Sequence, residues 1–467
     1  VVVLALAAGG CSTVVRTSVG PGGHEASGPS TGGLVSADGR YVAFSSEAPD
    51  LVTGDGNGVT DAFLHDHRTG TTTRVALDLD GGELDRESTA VALSRSGRVV
   101  AFVTEAPIDP ADTNARADVY VRDLDTGTTE WVSRREDGSP VWPAGQQAAT
   151  IADVSISDDG SRVMTLLSEP GAGLAWVYDR TAHVSKQVAT LAARALLTGD
   201  GRQLVELLLC PNSTCVGDSR VVTVADGTST TIDPECAFDA LAVSADARFV
   251  VGWRRGGYPT FSCPGPTGLV RWDRDTATFR AVPGGGPRSV QVSIATSGRF
   301  VAFVDDAGLP QVSDLATNVV QRADRGWSGA VGSPPASRIA LSASGRYVTF
   351  TSEDPALVPD DENGVADVVT RYAITPSVSG AVPSGVARGS EQVIVVLTGA
   401  ELLPGVTAAV SGSGVSVDAA TLMSPTKLRL TVSVDATAAP GPRDVTVSNR
   451  GGFGHADARC GGCLTVT

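Results

Sequence analysis

The segment LVSADGRYVAF (34–44) holds a strand, a tight turn and the start of a second strand. Two apolar residues lead into Ser-Ala-Asp-Gly, a composition that closes a hairpin, with Gly39 free to take the positive φ such a turn needs. Arg40 and Tyr41 then open an apolar run of strand-forming residues. The arrangement returns as ALSRSGRVVAF (92–102), VSISDDGSRVMTL (154–166), LLTGDGRQLVEL (196–207), LAVSADARFVVG (241–252), VSIATSGRFVAF (292–303) and ALSASGRYVTF (340–350). Seven copies make an internal repeat, and a repeat decides the fold before any single element does.

Each copy is followed by a loop, a third strand, a polar turn and a fourth strand, as in DVYVRDLDTGTTEWVS (118–133). Four short strands per repeat of roughly 40–60 residues predict an all-β fold, a seven-bladed β-propeller over 13–373. Ala247 replaces the turn glycine in the fifth copy and predicts a different turn there. VSKQVATLAARALL (184–197) alone has the spacing of an amphipathic helix, but the repeat frame makes it the last strand of one blade and the first of the next. The stretch 13–39 aligns without gaps to 71–97, so Thr13 to Val19 is a fourth strand with no blade of its own. It is predicted to complete the seventh blade and so remove an exposed edge.

The repeated Ser-x-Asp/Ser-Gly turn, followed by Arg and a hydrophobic strand, resembles that of the TolB-like, WD-type propeller repeats of bacteria over about 360 residues. The blade number departs from TolB itself, so a role in the Tol system does not follow. From 374 to 467 the repeat stops and short alternating runs between turns predict a small β-sandwich. SPTKLRLTVSV (424–434) and APGPRDVTVSN (439–449) resemble strands of immunoglobulin-like modules of the IPT/TIG type, a resemblance that implies an adhesive or spacer role.

A chain of 467 residues has room for two or three domains. Its net charge of −16 argues against nucleic acid and anionic lipid as partners. VVVLALAAGGCSTVV (1–15) reads as the tail of an export signal, with 1–12 as its remnant. AAGGC (7–11) fits a permissive lipoprotein signal acylated on Cys11, and cleavage after Ala7 or Ala8 is the alternative. No apolar run reaches the length of a membrane span, so any membrane contact is expected only through that lipid. Cys210, Cys215, Cys236, Cys263, Cys460 and Cys463 form an even set suited to an oxidising compartment. Of the fifteen arrangements that six cysteines allow, local pairing (210–215, 236–263, 460–463) is expected. These features predict an exported monomer, either a cell-surface lipoprotein or a secreted protein.

GDGNGVTDAFLHD (54–66), ADTNARADVYVRD (111–123) and DDENGVADVVTRY (360–372) carry oxygens at a constant spacing. They are Asp55, Asn57 and Asp61; Asp112, Asn114 and Asp118; and Asp361, Asn363 and Asp367. Calcium is one reading of these loops. Yet an EF-hand wants an oxygen ligand at position 5, Gly at 6 and Glu at 12, where the first loop has Val59, Thr60 and Asp66. The favoured reading is a structural turn in which Asn takes left-handed backbone and the second Asp accepts loop amides. No cofactor is otherwise expected. Ser30 and His24 around GPSTG (28–32) lack the strand–turn–helix of a nucleophile elbow, and no catalytic residue is assigned. His65 and His67 alternate on one strand face, and framework variation explains them better than a metal. GHADARCGGC (454–463) reads as a disulfide rather than a zinc site.

The function expected is a non-catalytic binding or scaffold protein outside the cytoplasm, whose ligand is a protein or a cell-envelope glycan. Docking is expected on the face carrying the longer loops, near the channel mouth, with Asp80, Glu83 and Asp85 as contact residues. The alternative is a propeller hydrolase or lyase acting on an envelope polysaccharide or peptide.

Overall fold

The computed structural model describes residues 14–467 apart from 143–148, 170–171, 209–218, 234–235, 256–262, 287–288, 290, 325–335, 359, 373–375, 401, 403–405, 425 and 451–454. Cys11, Cys210 and Cys215 thus lie outside the described residues. The chain divides into two compact units, one of Arg16–Asp324 with Gly332–Arg371 and one centred on Tyr372–Thr467. Among the described residues the only helix is the three-residue 3₁₀ turn Pro21–Gly23, and no helix is long and apolar enough to cross a membrane.

In the larger unit the strands form seven four-stranded sheets in chain order. The first runs Ser30–Val35, Tyr41–Ser46, Asp61–Asp66 and Thr71–Arg74. The seventh has Ser337–Leu341, Tyr347–Ser352 and Asp367–Tyr372, and Val14–Arg16 occupies its outer edge. The N-terminal strand therefore completes the last sheet. Val184–Ala189 and Ala192–Leu197 are strands of successive sheets, as the repeat frame requires and against the local helical spacing. Each sheet packs on the next, and the first packs on the seventh, which makes the run of sheets circular.

The repeat motif explains this packing residue by residue. Ser36 Oγ accepts the Tyr41 amide at 2.9 Å and donates to Asp38 at 2.7 Å, fixing the turn. Arg40 reaches forward to the Asp66 carboxylate at 2.9 Å, tying the turn to the end of the third strand. The same latch joins Arg248 to Asp273 and Arg299 to Asp314. Gly39 has φ 77°, and a Cβ there would lie 2.3 Å from the Tyr347 ring of the seventh sheet. Likewise Gly97 faces Tyr41 and Gly298 faces Phe249. Glycine is thus demanded twice, by backbone conformation and by the ring of the preceding sheet. Ala247 corrects the expectation of a different turn. It keeps left-handed backbone at φ 58°, and its amide still reaches Ser244 O at 2.9 Å. The preceding sheet presents Gln203 rather than a ring at the matching motif position, which is consistent with room for its methyl. Between the sheets lie small apolar cores, such as that of Tyr41, Leu64, Phe102, Tyr120 and Trp131.

The smaller unit has two four-stranded sheets. One contains Ser377–Val382, Val393–Ala400, Lys427–Val434 and Val415–Ser424. The other contains Gly385–Val386, His455–Val466, Gly441–Arg450 and Thr407–Val410. Inward residues of both, including Leu397, Leu428, Leu430, Val445, Val447 and Leu464, share one core. KLRLTVSV (427–434) alternates exposed and buried side chains as a half-covered strand should.

Candidate functional site

The innermost strand of each sheet lines the axis of the ring, and its register can be counted back from the residue that opens the turn. These residues are Ser36, Ser94, Ser157, Thr198, Ser244, Ala295 and Ser342. One position after them the backbones form a hoop whose hydrogen bonds span five of the seven junctions between sheets. Ala37 N donates to Arg95 O at 2.9 Å, Arg95 N to Asp158 O at 3.0 Å, and Asp158 N to Gly199 O at 2.7 Å. Gly199 N continues to Ala245 O at 2.8 Å, and Thr296 N donates to Ala343 O at 2.9 Å. The Arg95 guanidinium lies within the hoop, 3.1 Å from Asp158 Oδ2 and 3.3 Å from Thr296 Oγ1 of the sixth sheet. One position before the turn, every sheet contributes an aliphatic side chain to the same narrow space, from Val35 and Leu93 to Ile294 and Leu341.

Beyond this apolar collar the channel widens into a cavity of about 630 Å³. Six of the seven innermost strands carry a β-bulge or register shift, for example between Gly32 and Leu34 and between Ile151 and Asp153. A bulge re-aims side chains that strict alternation would turn into the sheet interface. The sixth sheet carries no shift, and the position four before the turn lies beside one in the third, fourth and seventh. In the third, fourth, sixth and seventh sheets it is Asp153, Arg194, Gln291 and Arg338, and all four line the cavity. In the first, second and fifth sheets it is Gly32, Ala90 and Ala240, which leave space. Arg194 Nε lies 3.8 Å from Asp153 Oδ2, and Asp153 Oδ1 accepts the Val154 amide at 3.0 Å. Burial raises the Asp153 carboxyl to about 6, against the pull of Arg194 and of that amide. Arg338 is held at φ 56°, and its amide donates to the Gln291 side-chain oxygen.

The residues singled out in the sequence lie elsewhere. In each Asp-x-Asn loop the Asn side-chain oxygen accepts an amide two residues on: Val59 at 3.0 Å, Arg116 at 2.8 Å and Val365 at 2.9 Å. Asn57 and Asn114 also donate to Asp61 and Asp118, at 3.0 and 2.6 Å, whereas Asn363 donates to Ala26 O. The acids gather around an arginine. Arg74 contacts Asp55 at 3.0 Å, Asp61 at 3.1 Å and Glu83 at 2.9 Å. Arg16 contacts Asp367 at 2.7 Å, Glu25 at 2.9 Å and Asp361 at 3.7 Å. In the second loop Trp131 and Ser133 donate to Asp118, and Tyr120 donates to Asp112. The carboxylate oxygens in each of the two arginine-centred groups lie within 4.8 Å of one another, close enough to share a metal ion. Burial and the neighbouring Asp367 carboxylate raise Asp361 to about 6.

Glu83 is held by Arg74 and by the Gly56 amide, Asp80 is exposed in a turn, and Asp85 borders a separate recess of about 460 Å³ with Glu87 and Glu105. None of the three lines the channel cavity. Ser30 Oγ is buried and donates to Ser46, inside the first sheet. His65 and His67 meet edge to face at 4.7 Å, with His65 Nδ1 3.0 Å from Thr72 Oγ1, and burial lowers His65 to about 4. Cys236 pairs with Cys263 and Cys460 with Cys463, their Cα atoms 5.8 and 5.6 Å apart.

No family model matches the chain, and no curated protein matches it in sequence. Solved structures do resemble it. An oligogalacturonate lyase in complex with manganese aligns at 11% identity and TM-score 0.50, over 78% of this chain and 98% of that one. The β-propeller domain of the trilobed protease from Pyrococcus furiosus aligns at 10% identity and TM-score 0.49, over 74% and 95%. TolB from Acinetobacter baumannii aligns at 14% identity and TM-score 0.38, over 63% of each chain. The likeness to the lyase, together with the circular run of sheets, shows the fold of the larger unit. It is a β-propeller. At such identities the likeness reaches no further than the fold.

Proposed function

We propose that this protein is an extracytoplasmic binding protein built on a seven-bladed propeller, closed by its N-terminal strand and followed by an immunoglobulin-like module. The closed run of sheet contacts supports the blade count, and two sheets sharing one core support the module. Cystine pairs in both units favour an oxidising compartment. The observation that carries the reading is the channel cavity, roomy above and narrowed by aliphatic side chains and a hydrogen-bonded hoop below. Its volume lies within the usual range for ligand pockets, and its polar groups converge from opposite walls. The ligand is a protein segment or an envelope glycan that enters from the wider side.

Asp153 favours a second reading, because a cavity carboxyl titrating near 6 can act as a general acid or base. A glycosidase works with two carboxyls, and Asp153 is the only one among the described residues lining the cavity. Binding is therefore the better account. Pull-down from envelope extract with the whole chain tests it, beside Ala152→Trp, which fills the cavity from an exposed position on its wall. Loss of captured material in the variant is expected. Unchanged capture removes the channel from the binding site, and turnover of any glycan or peptide abolished by Asp153→Asn replaces binding with catalysis.

A further inference from the structure

We infer that the polar level of the channel recognises the carboxylate of a small hydroxylated or amino acid, free or at the end of a longer chain, with Arg338 as the residue that fixes it. This rests on the reading of the channel as the ligand site. Asp153 and Arg194 stand on neighbouring sheets and partly neutralise each other at 3.8 Å. Arg338, from the seventh sheet across the ring, has no acidic partner for its guanidinium among the described residues. The level therefore carries one unbalanced positive charge, exposed to the cavity.

The backbone at Arg338 points the same way. Left-handed φ is uncommon for a residue with a long side chain, and such strain persists where the surroundings impose it. Here the Gln291 side chain accepts the Arg338 amide, inside the register shift between Ser337 and Ala340. That contact uses the Gln291 oxygen and leaves its NH₂ group available to a ligand.

A guanidinium matches a planar pair of oxygens, so carboxylate and phosphate are the candidate anions. Asp153 decides between them. Lying on the other side of the cavity, it opposes a second negative charge, which disfavours a dianionic phosphate, and it accepts hydrogen bonds from a hydroxyl or ammonium group. A monoanionic acid with a donor-bearing body fits both walls.

Titration calorimetry on the whole chain at neutral pH and low salt tests this with glucuronate, glutamate and inorganic phosphate, and with glucose as the uncharged match for glucuronate. At least one of the two acids should bind, and which one distinguishes a sugar-acid ligand from an amino-acid ligand. Glucose and phosphate should bind at least about tenfold more weakly. Arg338→Gly removes the guanidinium while suiting the left-handed backbone, so its expected loss of about tenfold or more in affinity does not come from a strained variant. Arg86→Gln, outside the cavity, should change nothing. The inference is overturned if neither acid binds, if glucose or phosphate binds as well as the acids, or if Arg338→Gly binds like the parent. Envelope capture lost in Ala152→Trp but kept in Arg338→Gly would sink the carboxylate alone and leave the channel reading intact. Binding of an acid without any envelope capture would keep the carboxylate site and remove the envelope protein or glycan as its ligand.

Discussion

Arg16 and Asp367, 351 residues apart in sequence, meet at 2.7 Å where the first described strand flanks the third strand of the seventh sheet. Both side chains are more than nine-tenths buried, and Arg16 is also the counter-ion of Glu25 and Asp361. Removing it leaves buried carboxylates facing one another. Arg16→Gln should cost about 3–5 kcal/mol in urea unfolding, against about 1 kcal/mol or less for the half-exposed latch variant Arg299→Gln. Adding Asp361→Asn to Arg16→Gln should recover part of the loss. Equal effects of the two single substitutions would remove the closing role given to Arg16.

Arg16 and Arg74 already neutralise two of the three Asp-x-Asn loops, and donors from Trp131, Ser133 and Tyr120 serve the third. The melting temperature should therefore move by less than about 2 °C between millimolar calcium and excess chelator, since a ligand stabilises only by the free energy of its binding. A large calcium-dependent rise, lost in Asp55→Ala with Asp361→Ala, would make these loops metal sites.

Gly39 and Ala247 share a backbone conformation but not a neighbour. Gly39→Ala should destabilise by more than about 2 kcal/mol, combining left-handed strain with overlap of the Tyr347 ring. Ala247→Gly should fall within about 1 kcal/mol of the parent, because relief of strain offsets the added freedom of the unfolded chain. Chemical denaturation measures both, and similar losses in the two variants would refute the account of the turn.

Two groups give opposite pH dependence in one window. Asp153 titrates near 6 when folded and at the ordinary carboxylate value when unfolded, so the folded state holds the extra proton between about pH 4 and 6. Its contribution is full below that window and is lost as pH rises through 6. His65 titrates near 4 when folded, below its unfolded value, so its contribution is full above about pH 6.5 and lost as pH falls through 4. Asp153→Asn should raise stability at pH 7 by on the order of 1–2 kcal/mol, and His65→Gln should flatten the acid limb. Stability profiles of the two variants that bend the same way would contradict the assignments.

Non-reducing peptide mapping should link Cys236 to Cys263 and Cys460 to Cys463, and should recover Cys210 joined to Cys215. A peptide joining Cys460 to Cys210 or Cys215 would contradict the local pattern.

The scaffold was legible because its determinants are local and repeated. Ser36, Gly39, Arg40 and Tyr41 each have a task that recurs at fixed spacing, and the alignment of 13–39 with 71–97 exposed the missing fourth strand. Ala247 misled because a glycine needed for two reasons becomes dispensable when one reason lapses. Asp153, Arg194, Gln291 and Arg338 escaped notice for another reason. For Asp153, Arg194 and Arg338 a bulge or register shift sits beside the position and breaks the plain alternation, and Gln291 lies just before the regular part of its strand. Counting back from each turn would have found four polar residues at one position of strands that are otherwise largely apolar.

The separation of duties within the repeat bears on how such a protein changes over generations. Folding depends on the turn, the latch and the ring beneath the glycine, while the proposed ligand recognition rests on a wall position that anchors none of these. Seven codons, one per repeat, thus form a palette that point mutations can recolour one at a time with little threat to foldability. Duplication of the gene followed by exchange at those seven places would yield siblings with the same architecture and unrelated appetites. If the channel is the ligand site, the wall positions of a divergent copy should report its ligand more faithfully than its overall resemblance does.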